Sequence, residues 1–329
     1  ADMSEPAPIM GALPKPKIPI SLVLGSGGAR GYAHIGVIEE LIAQGFDIRS
    51  IAGSSMGALV GGIHAAGKLD AFRDWVLPMA RYDVFKLLDI TVTGGGFIKG
   101  NRIINAMREQ VGDVNIEDLP ISYTAVAVDL DAHREVWFSR GSLFDAIRAS
   151  IAIPTIFRPH RYQGRLLVDG GLLNPLPVSP TLRDLTAATI AVDVNAAPEP
   201  LDGSPAWPLR SSAEDMPGEV PEADPGSDAE SRSGNPFARA MAALWRSEKP
   251  IAQMREPNVL ELLSRSLDTV QETITRLKLA AQPPDLLVTI PRNVCTFYDF
   301  HRAQSVIELG RTRTREALER WAPPNGSGR

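Results

Sequence analysis

Short apolar runs alternate with stretches of helical periodicity along most of this chain. Each run is short enough for a buried strand, and the stretches between runs place apolar residues three or four positions apart, as amphipathic helices do. Predicted strands cover 18–24, 48–52, 122–129, 134–139, 165–168, 188–195 and 286–290, and predicted helices begin at Tyr32 and Met56 and cover 143–150. This alternation predicts an α/β fold with a mainly parallel central sheet and helices on both faces.

Two further apolar stripes and two loops stand out from this pattern. One stripe has helical spacing and predicts a helix packed on the sheet; its members are Leu263, Leu267, Val270, Ile274 and Leu277. The other consists of Phe237, Met241, Leu244 and Trp245, and we leave core packing and an interfacial or lid role both open for it. The segment at about 198–236 is rich in Pro, Gly, Ser and acidic residues, which predicts a disordered insertion. A flexible loop is predicted around 94–97, where it would cover the site described below.

Composition and charge exclude several classes of function. The chain has 329 residues, of which 44% are hydrophobic and 22% charged, enough for one large α/β domain with its own core. No apolar run approaches the roughly 20 residues that span a bilayer, so any membrane contact is expected to be peripheral. The net charge of −5 provides no basic field for nucleic acid, and we expect no nucleic-acid partner.

The cysteine and histidine content bears on compartment and cofactors. The single cysteine, Cys295, excludes an internal disulfide and is expected to be a buried structural thiol. No apolar signal region follows Met3, which we take as the native initiator, so we expect a cytoplasmic protein and leave peripheral contact at the inner membrane open. Acidic residues and histidines lack metal-ligand spacing, so neither a metal nor another cofactor is expected. The oligomeric state stays open.

The most informative motif is Gly53-Ser54-Ser55-Met56-Gly57, which lies between a predicted strand and a predicted helix. A G-x-S-x-G sequence at such a turn places the central serine on a strained bend, where its hydroxyl is accessible for attack. Ser55 is therefore the candidate nucleophile.

A glycine-rich loop, Gly25–Gly31 in the pattern G-S-G-G-A-R-G, follows the first predicted strand. Its backbone N–H groups would bind an anion, either a nucleotide pyrophosphate or the oxyanion that forms when a serine attacks an acyl carbonyl. Arg30 stands where a dinucleotide fingerprint needs glycine, and the Gly-Lys-Ser/Thr of a phosphate-binding P-loop is missing. The sequence therefore favours the oxyanion.

A third element, Asp169-Gly170-Gly171, follows another short apolar strand. An aspartate before two glycines can be an ordinary turn former, but close to a serine on a strained bend it becomes a candidate base. A Ser-Asp dyad would suffice for catalysis. The alternative is a triad with a histidine, for which His301 is the candidate because α/β-hydrolases carry their histidine late in the chain.

Together these blocks resemble the patatin-like phospholipases, bacterial branch. The matching blocks, in order, are Gly25-x-Gly27-Gly28-x-Arg30-Gly31, Gly53-x-Ser55-x-Gly57, Ala149-Ser150-Ile151-Ala152-Ile153-Pro154 and Asp169-Gly170-Gly171. The resemblance extends over about 18–195, and a tail at 284–318 is also similar. It implies a three-layer architecture, with 1–17 as a flexible N-terminal segment and 18–329 as a single catalytic domain.

The resemblance also implies an activity. It indicates a lipid acyl hydrolase with a Ser55–Asp169 dyad, acting on phospholipids, lysophospholipids or related esters through an acyl-enzyme. The oxyanion hole would consist of the amides of Gly27, Gly28, Ala29 and Met56. Arg30 would anchor the glycine loop or contact a lipid phosphate. A thioesterase, an acyltransferase and a non-catalytic lipid-binding regulatory protein remain as alternatives.

Overall fold

The computed structural model describes residues 17–80, 83, 96–200 and 259–321. The strands are β1 (Ile18–Leu24), β2 (Phe46–Ser54), β3 (Gly96–Ile98), β4 (Ser122–Asp129), β5 (Arg134–Phe138), β6 (Thr155–Phe157), β7 (His160–Tyr162), β8 (Arg165–Asp169), β9 (Ala188–Ala196) and β10 (Leu286–Pro291). The α-helices with described bounds are α1 (Ala33–Ala43), α2 (Met56–Ala65), α3 (Leu69–Val76), α4 (Asn101–Val111), α5 (Leu143–Ser150), α6 (Val259–Ala281) and α7 (Ala303–Arg320). None of these helices is long and apolar enough to cross a bilayer.

Eight of the strands form one sheet. Strands β10, β9, β1, β2 and β4 lie side by side in that order and run parallel. Strands β5 and β8 pair antiparallel with β4, and β7 pairs antiparallel with β8. The prediction of a mainly parallel central sheet is confirmed.

Helices cover both faces of this sheet, but unequally. The main hydrophobic core lies on one face, where alternate residues of the central strands pack against α1, α2, α5 and α7. On the other face Val23 of β1 and Ala191 of β9 form a small cluster with Leu176 and Val178, and Leu279 of α6 packs against it. The predicted three-layer architecture is therefore confirmed.

Helices α1 and α7 pack closely through two glycines. A Cβ atom at Gly310 of α7 would overlap the Ala33 carbonyl, and one at Gly36 of α1 would overlap the Ile307 carbonyl. The end of the described chain thus packs against the helix that follows the glycine-rich loop.

Strands β2 and β8 meet end to end along one edge of β4. Strand β2 pairs with 122–126 of β4, and β8 pairs with 127–129. Strand β5 pairs with 125–129 and overlaps both sets, so β5 must lie on the opposite edge, because a strand has only two edges. Strands β2 and β8 therefore share the remaining edge and run toward each other. Their last residues, Ser54 and Asp169, pair with adjacent residues of β4.

The direction of β8 departs from the parallel pattern. The alternation predicted a mainly parallel sheet without giving the direction of the strand before Asp169, and β8 is antiparallel to its neighbour β4. The reversal comes from the β7–β8 hairpin, whose two turn residues Gln163 and Gly164 have positive φ angles of 48° and 76°. Positive φ at both central residues is the geometry of a tight hairpin turn.

Helix α6 forms where the long stripe predicted a helix, but the stripe is not its buried face. Three members are largely exposed to solvent, with exposed fractions of 42% at Leu263, 48% at Val270 and 65% at Leu277. The helix instead packs through Leu279 and through an ion pair in which Lys278 Nζ lies 2.6 Å from Glu135 Oε1. The helix therefore packs on the sheet as predicted, but not through the three exposed members of the stripe.

Several sequence predictions concern residues outside the described ranges. They include nearly all of the 1–17 segment, the 198–236 insertion beyond residue 200, the stripe from Phe237 to Trp245, and Gly94 with Gly95. The remainder of the predicted 94–97 loop is a strand, since Gly96 begins β3, which pairs in parallel with β6.

Candidate active site

Ser55 lies on a strained turn between β2 and α2. Its backbone angles are φ 54° and ψ −123°, a conformation that costs a non-glycine residue about 1–3 kcal/mol. The turn is tight because Gly57 packs against the end of β1, where a Cβ atom would overlap the Leu24 carbonyl. The sequence therefore folds here as the G-x-S-x-G pattern predicted.

Ser150, at the end of α5, holds this turn in place. Its hydroxyl accepts the Ser55 backbone N–H at 2.9 Å and donates to the Val126 carbonyl of β4 at 2.6 Å. Sequence reasoning assigned no role to Ser150, although it lies in the Ala149–Pro154 block. The neighbouring Ala152 carbonyl accepts the Asp169 amide at 2.9 Å, so this block supports both strand ends.

The hydroxyl of Ser55 donates directly to Asp169, with Oγ and Oδ2 2.6 Å apart. The other carboxylate oxygen of Asp169 accepts the Gly171 amide at 2.7 Å. Both side chains are buried, with 3% of each residue exposed. The direct contact leaves no place for a histidine between serine and aspartate, and His301 is not among the residues that line the site.

Burial changes the proton affinity of this aspartate. Desolvation raises the pKa of Asp169 to about 7, although the hydrogen bonds from Ser55 and Gly171 act in the opposite direction. A base whose pKa lies near the working pH combines a substantial ionised fraction with useful basicity.

Two buried side chains, His34 and Arg30, fix the glycine-rich loop. His34 Nε2 donates to the Gly25 carbonyl at 2.8 Å, and burial lowers the pKa of His34 to about 4, so its ring is neutral at pH 7. Arg30 Nε donates to the Gly27 carbonyl at 3.3 Å, and its guanidinium forms an ion pair with Asp268 of α6 at 3.4 Å. These contacts give Arg30 the geometry of a loop anchor.

One of the four amides expected in the oxyanion hole is already occupied. The Ala29 N–H donates to the Phe297 carbonyl at 2.9 Å, so it is not open to a substrate oxygen in this structure. The amides of Gly27, Gly28 and Met56 donate to no loop or strand carbonyl within the described part of the chain. No sequence pattern indicated the contact with the distant Phe297 carbonyl.

Helix α6 and the segment around Phe297 cover Ser55 and Asp169 and line a cavity with them. The cavity above Ser55 has a volume of about 30 Å³, and α6 contributes Leu267, Asp268 and Gln271 to its lining. Gln271 also lies 3.1 Å from the Ser26 hydroxyl, which donates to it. Such a cavity holds about one or two water molecules.

The described residues include no group of three His, Cys, Asp or Glu side chains arranged to hold a metal ion. Cys295 is buried, as expected, and desolvation raises the pKa of its thiol to about 11.

Comparison with known proteins identifies the relatives of this chain. Residues 22–182 match the family model described as patatin-like phospholipase. An uncharacterized NTE family protein of Mycobacterium bovis is 41% identical over 340 residues, covering 91% of each chain. The chain belongs to the patatin-like phospholipase family. Membership implies lipid esterase activity and a lipid substrate.

More distant relatives share only part of their length with it. Neuropathy target esterase sws of Drosophila melanogaster is 34% identical over 185 residues, which are 54% of this chain and 13% of that protein. Among solved structures, VipD from Legionella pneumophila aligns over 93% of this chain and 67% of its own, with a TM-score of 0.41 and 14% identity.

The hydrogen bond between Ser150 and the turn at Ser55 predicts an effect on stability. Ser150→Ala leaves the buried Ser55 N–H without an acceptor, which lowers the free energy of unfolding by about 1–3 kcal/mol. Ser54→Ala is the matched control, because the buried Ser54 hydroxyl has no partner among the described residues. Chemical denaturation of both variants measures the difference, and equal losses would contradict the role given to Ser150.

Burial of Asp169 predicts a pH dependence of stability. Its pKa is raised on folding, so the folded state binds more protons and the protein loses stability as pH rises from about 4 to about 7. Asp169→Asn carries no such proton. The stability of this variant relative to wild type should therefore rise across that window by an amount on the order of 4 kcal/mol and stay constant above it. Denaturation at pH 4 to 8 tests this, and a pH-independent difference would show that Asp169 titrates normally.

Proposed function

We propose that this protein is a serine acyl hydrolase that cleaves carboxylic ester bonds of phospholipids, lysophospholipids or related lipids. One observation carries the proposal: a strained, buried serine donates directly to a buried aspartate 2.6 Å away. Serine becomes nucleophilic when an adjacent base takes its proton, and a non-catalytic lipid-binding protein has no need of this pair. We propose 18–329 as one catalytic unit, since β10 and α7 lie beyond the family match and complete the sheet and core.

The proposed first half-reaction acylates the enzyme. Ionised Asp169 takes the Ser55 proton while Oγ attacks the acyl carbon, and the carbonyl oxygen becomes an oxyanion. The amides of Gly27, Gly28 and Met56 are the proposed donors to it. When the tetrahedral intermediate collapses, the bond to the leaving oxygen breaks, and Asp169 returns the proton to the departing alcohol.

The second half-reaction releases the fatty acid. A water molecule gives a proton to Asp169 and its oxygen attacks the acyl-enzyme, and collapse expels Ser55, which recovers the proton from Asp169. Both halves use the same base and the same oxyanion site.

Substrate entry requires the elements that cover Ser55 and Asp169 to move. A cavity of about 30 Å³ does not accommodate an acyl chain, so α6 or the Phe297 segment has to move outward. Leu267 lines the cavity and belongs to the same stripe as the exposed Leu263, Val270 and Leu277. The stripe thus includes both exposed apolar side chains and one that lines the cavity. Its proposed occupant is the aggregated lipid substrate itself, in a peripheral contact.

The dyad predicts strong non-additivity in kinetics. Ser55→Ala and Asp169→Asn should each lower kcat by roughly 10³-fold or more, and the double variant should lose little beyond either single one, because the two residues act as a unit. Hydrolysis of a short soluble ester measures this, with thermal unfolding as a check on folding. His301→Ala is the control and should stay within tenfold of wild type. A loss at His301 equal to that at Ser55 would replace the dyad by a triad.

The α6 stripe predicts a dependence on lipid aggregation. Replacing Leu263, Val270 and Leu277 by Ser should lower activity on phospholipid vesicles at least tenfold more than activity on a short soluble ester, because only vesicle contact buries these side chains. Leu185→Ser, at a fully exposed leucine on the loop before β9, is the matched control. Equal losses on both substrates would assign the stripe to protein packing.

A further inference from the structure

Asn195, near the end of β9, contacts the glycine-rich loop from the side opposite α2. Its Nδ2 donates to the Ser26 carbonyl at 2.6 Å, and its own backbone N–H donates to Asp193 Oδ1 at 2.9 Å. Strand β9 pairs with β1 in register up to Leu24, which brings Asn195 level with the loop that follows β1. The contact between Asn195 and Ser26 is therefore built on the parallel strand pair β1 and β9.

The Ser26 carbonyl and the Gly27 N–H belong to one planar trans peptide, in which they point in opposite directions. A hydrogen bond that fixes the carbonyl therefore also fixes the direction of the N–H. The next peptide is held in the same way, because the Gly27 carbonyl accepts both Nε and the backbone N–H of Arg30, at 3.3 Å and 3.2 Å. Asn195 thus orients the Gly27 amide, and Arg30 orients the Gly28 amide. Neither amide donates to a backbone carbonyl in the described loops and strands.

Because residue 27 is a glycine, the Ser26–Gly27 peptide depends on a contact such as the one from Asn195 to keep its orientation. The peptide before a glycine rotates with little steric resistance, and rotation would exchange the Gly27 N–H for the Ser26 carbonyl at the oxyanion site. A carbonyl oxygen there would repel the developing negative charge. An anchor on the Ser26 oxygen prevents this exchange without touching the substrate.

We infer that Asn195 is a positioning residue for acyl transfer, which holds the Gly27 amide in the orientation that binds the oxyanion. The inference rests on the proposed function of Ser55 and Asp169. It predicts that Asn195 affects the transition state more than substrate binding, since an oxyanion donor acts only once charge develops.

The kinetic test compares Asn195→Leu with Asn293→Leu. Both side chains donate to a backbone carbonyl, but Asn293 is exposed and bonds Glu199, away from the glycine loop. On a short soluble ester, Asn195→Leu should lower kcat by about 10²-fold with KM changed less than threefold, and the control should match wild type. Binding of a trifluoromethyl ketone, which forms an oxyanion on the nucleophilic serine, should weaken in proportion to the loss of kcat/KM. Unchanged kcat, or a loss of kcat with unchanged ketone binding, would overturn the inference.

A second measurement does not depend on activity. In protein labelled with ¹⁵N-glycine, the Gly27 amide resonance should shift or broaden in Asn195→Leu relative to wild type, because its peptide loses the contact that fixes it, while Gly310 in α7 is unaffected. Asn195→Asp, which keeps the shape but has no N–H to donate at neutral pH, should behave in the same way if the leucine variant folds poorly. An unchanged Gly27 amide in both variants would overturn the inference. An inactive wild type with the predicted Gly27 change would refute the proposed function alone.

Discussion

The candidate site depends on one constraint of the sheet: β2 and β8 share a single edge of β4 and end facing each other. Because Ser54 and Asp169 pair with adjacent residues of β4, the separation of the proposed nucleophile and base is set by backbone hydrogen bonds of the sheet. A site built this way is more exact than one carried on loops. Ser150 and the Ala152 carbonyl then tie the two strand ends to the segment at the end of α5.

Several features of the site oppose folding, and the rest of the molecule has to offset them. Ser55 has a strained backbone, and Asp169 loses its hydration without a cation close enough to form an ion pair in the described structure. Such sites persist where a large core over-determines the fold. The unequal layers fit this reasoning, because the main core lies on the face of the sheet that carries α1 and α2.

The sequence predicted those parts of the structure that local pattern determines. The short apolar runs located the principal strands, and the glycine spacing located the elbow at Ser55, because both signals lie within a few residues. The direction of β8 depends on a two-residue turn at Gln163, which strand alternation does not register. The orientation of α6 was missed because the contact between Lys278 and Glu135 joins residues far apart in the chain. Ser150 acts through similarly distant partners.

The order of these elements along the chain has a consequence for synthesis. The proposed nucleophile and base both precede residue 170, whereas the groups that fix the glycine-rich loop come later: Asn195 on β9, Asp268 on α6 and the Phe297 carbonyl. Helix α7, which packs on α1 just after that loop, is the last of the described elements. Domains emerge from the ribosome N-terminus first. A nascent chain therefore carries Ser55 and Asp169 before it can hold the glycine loop in shape, and the proposed activity has to wait until α7 is available to fold.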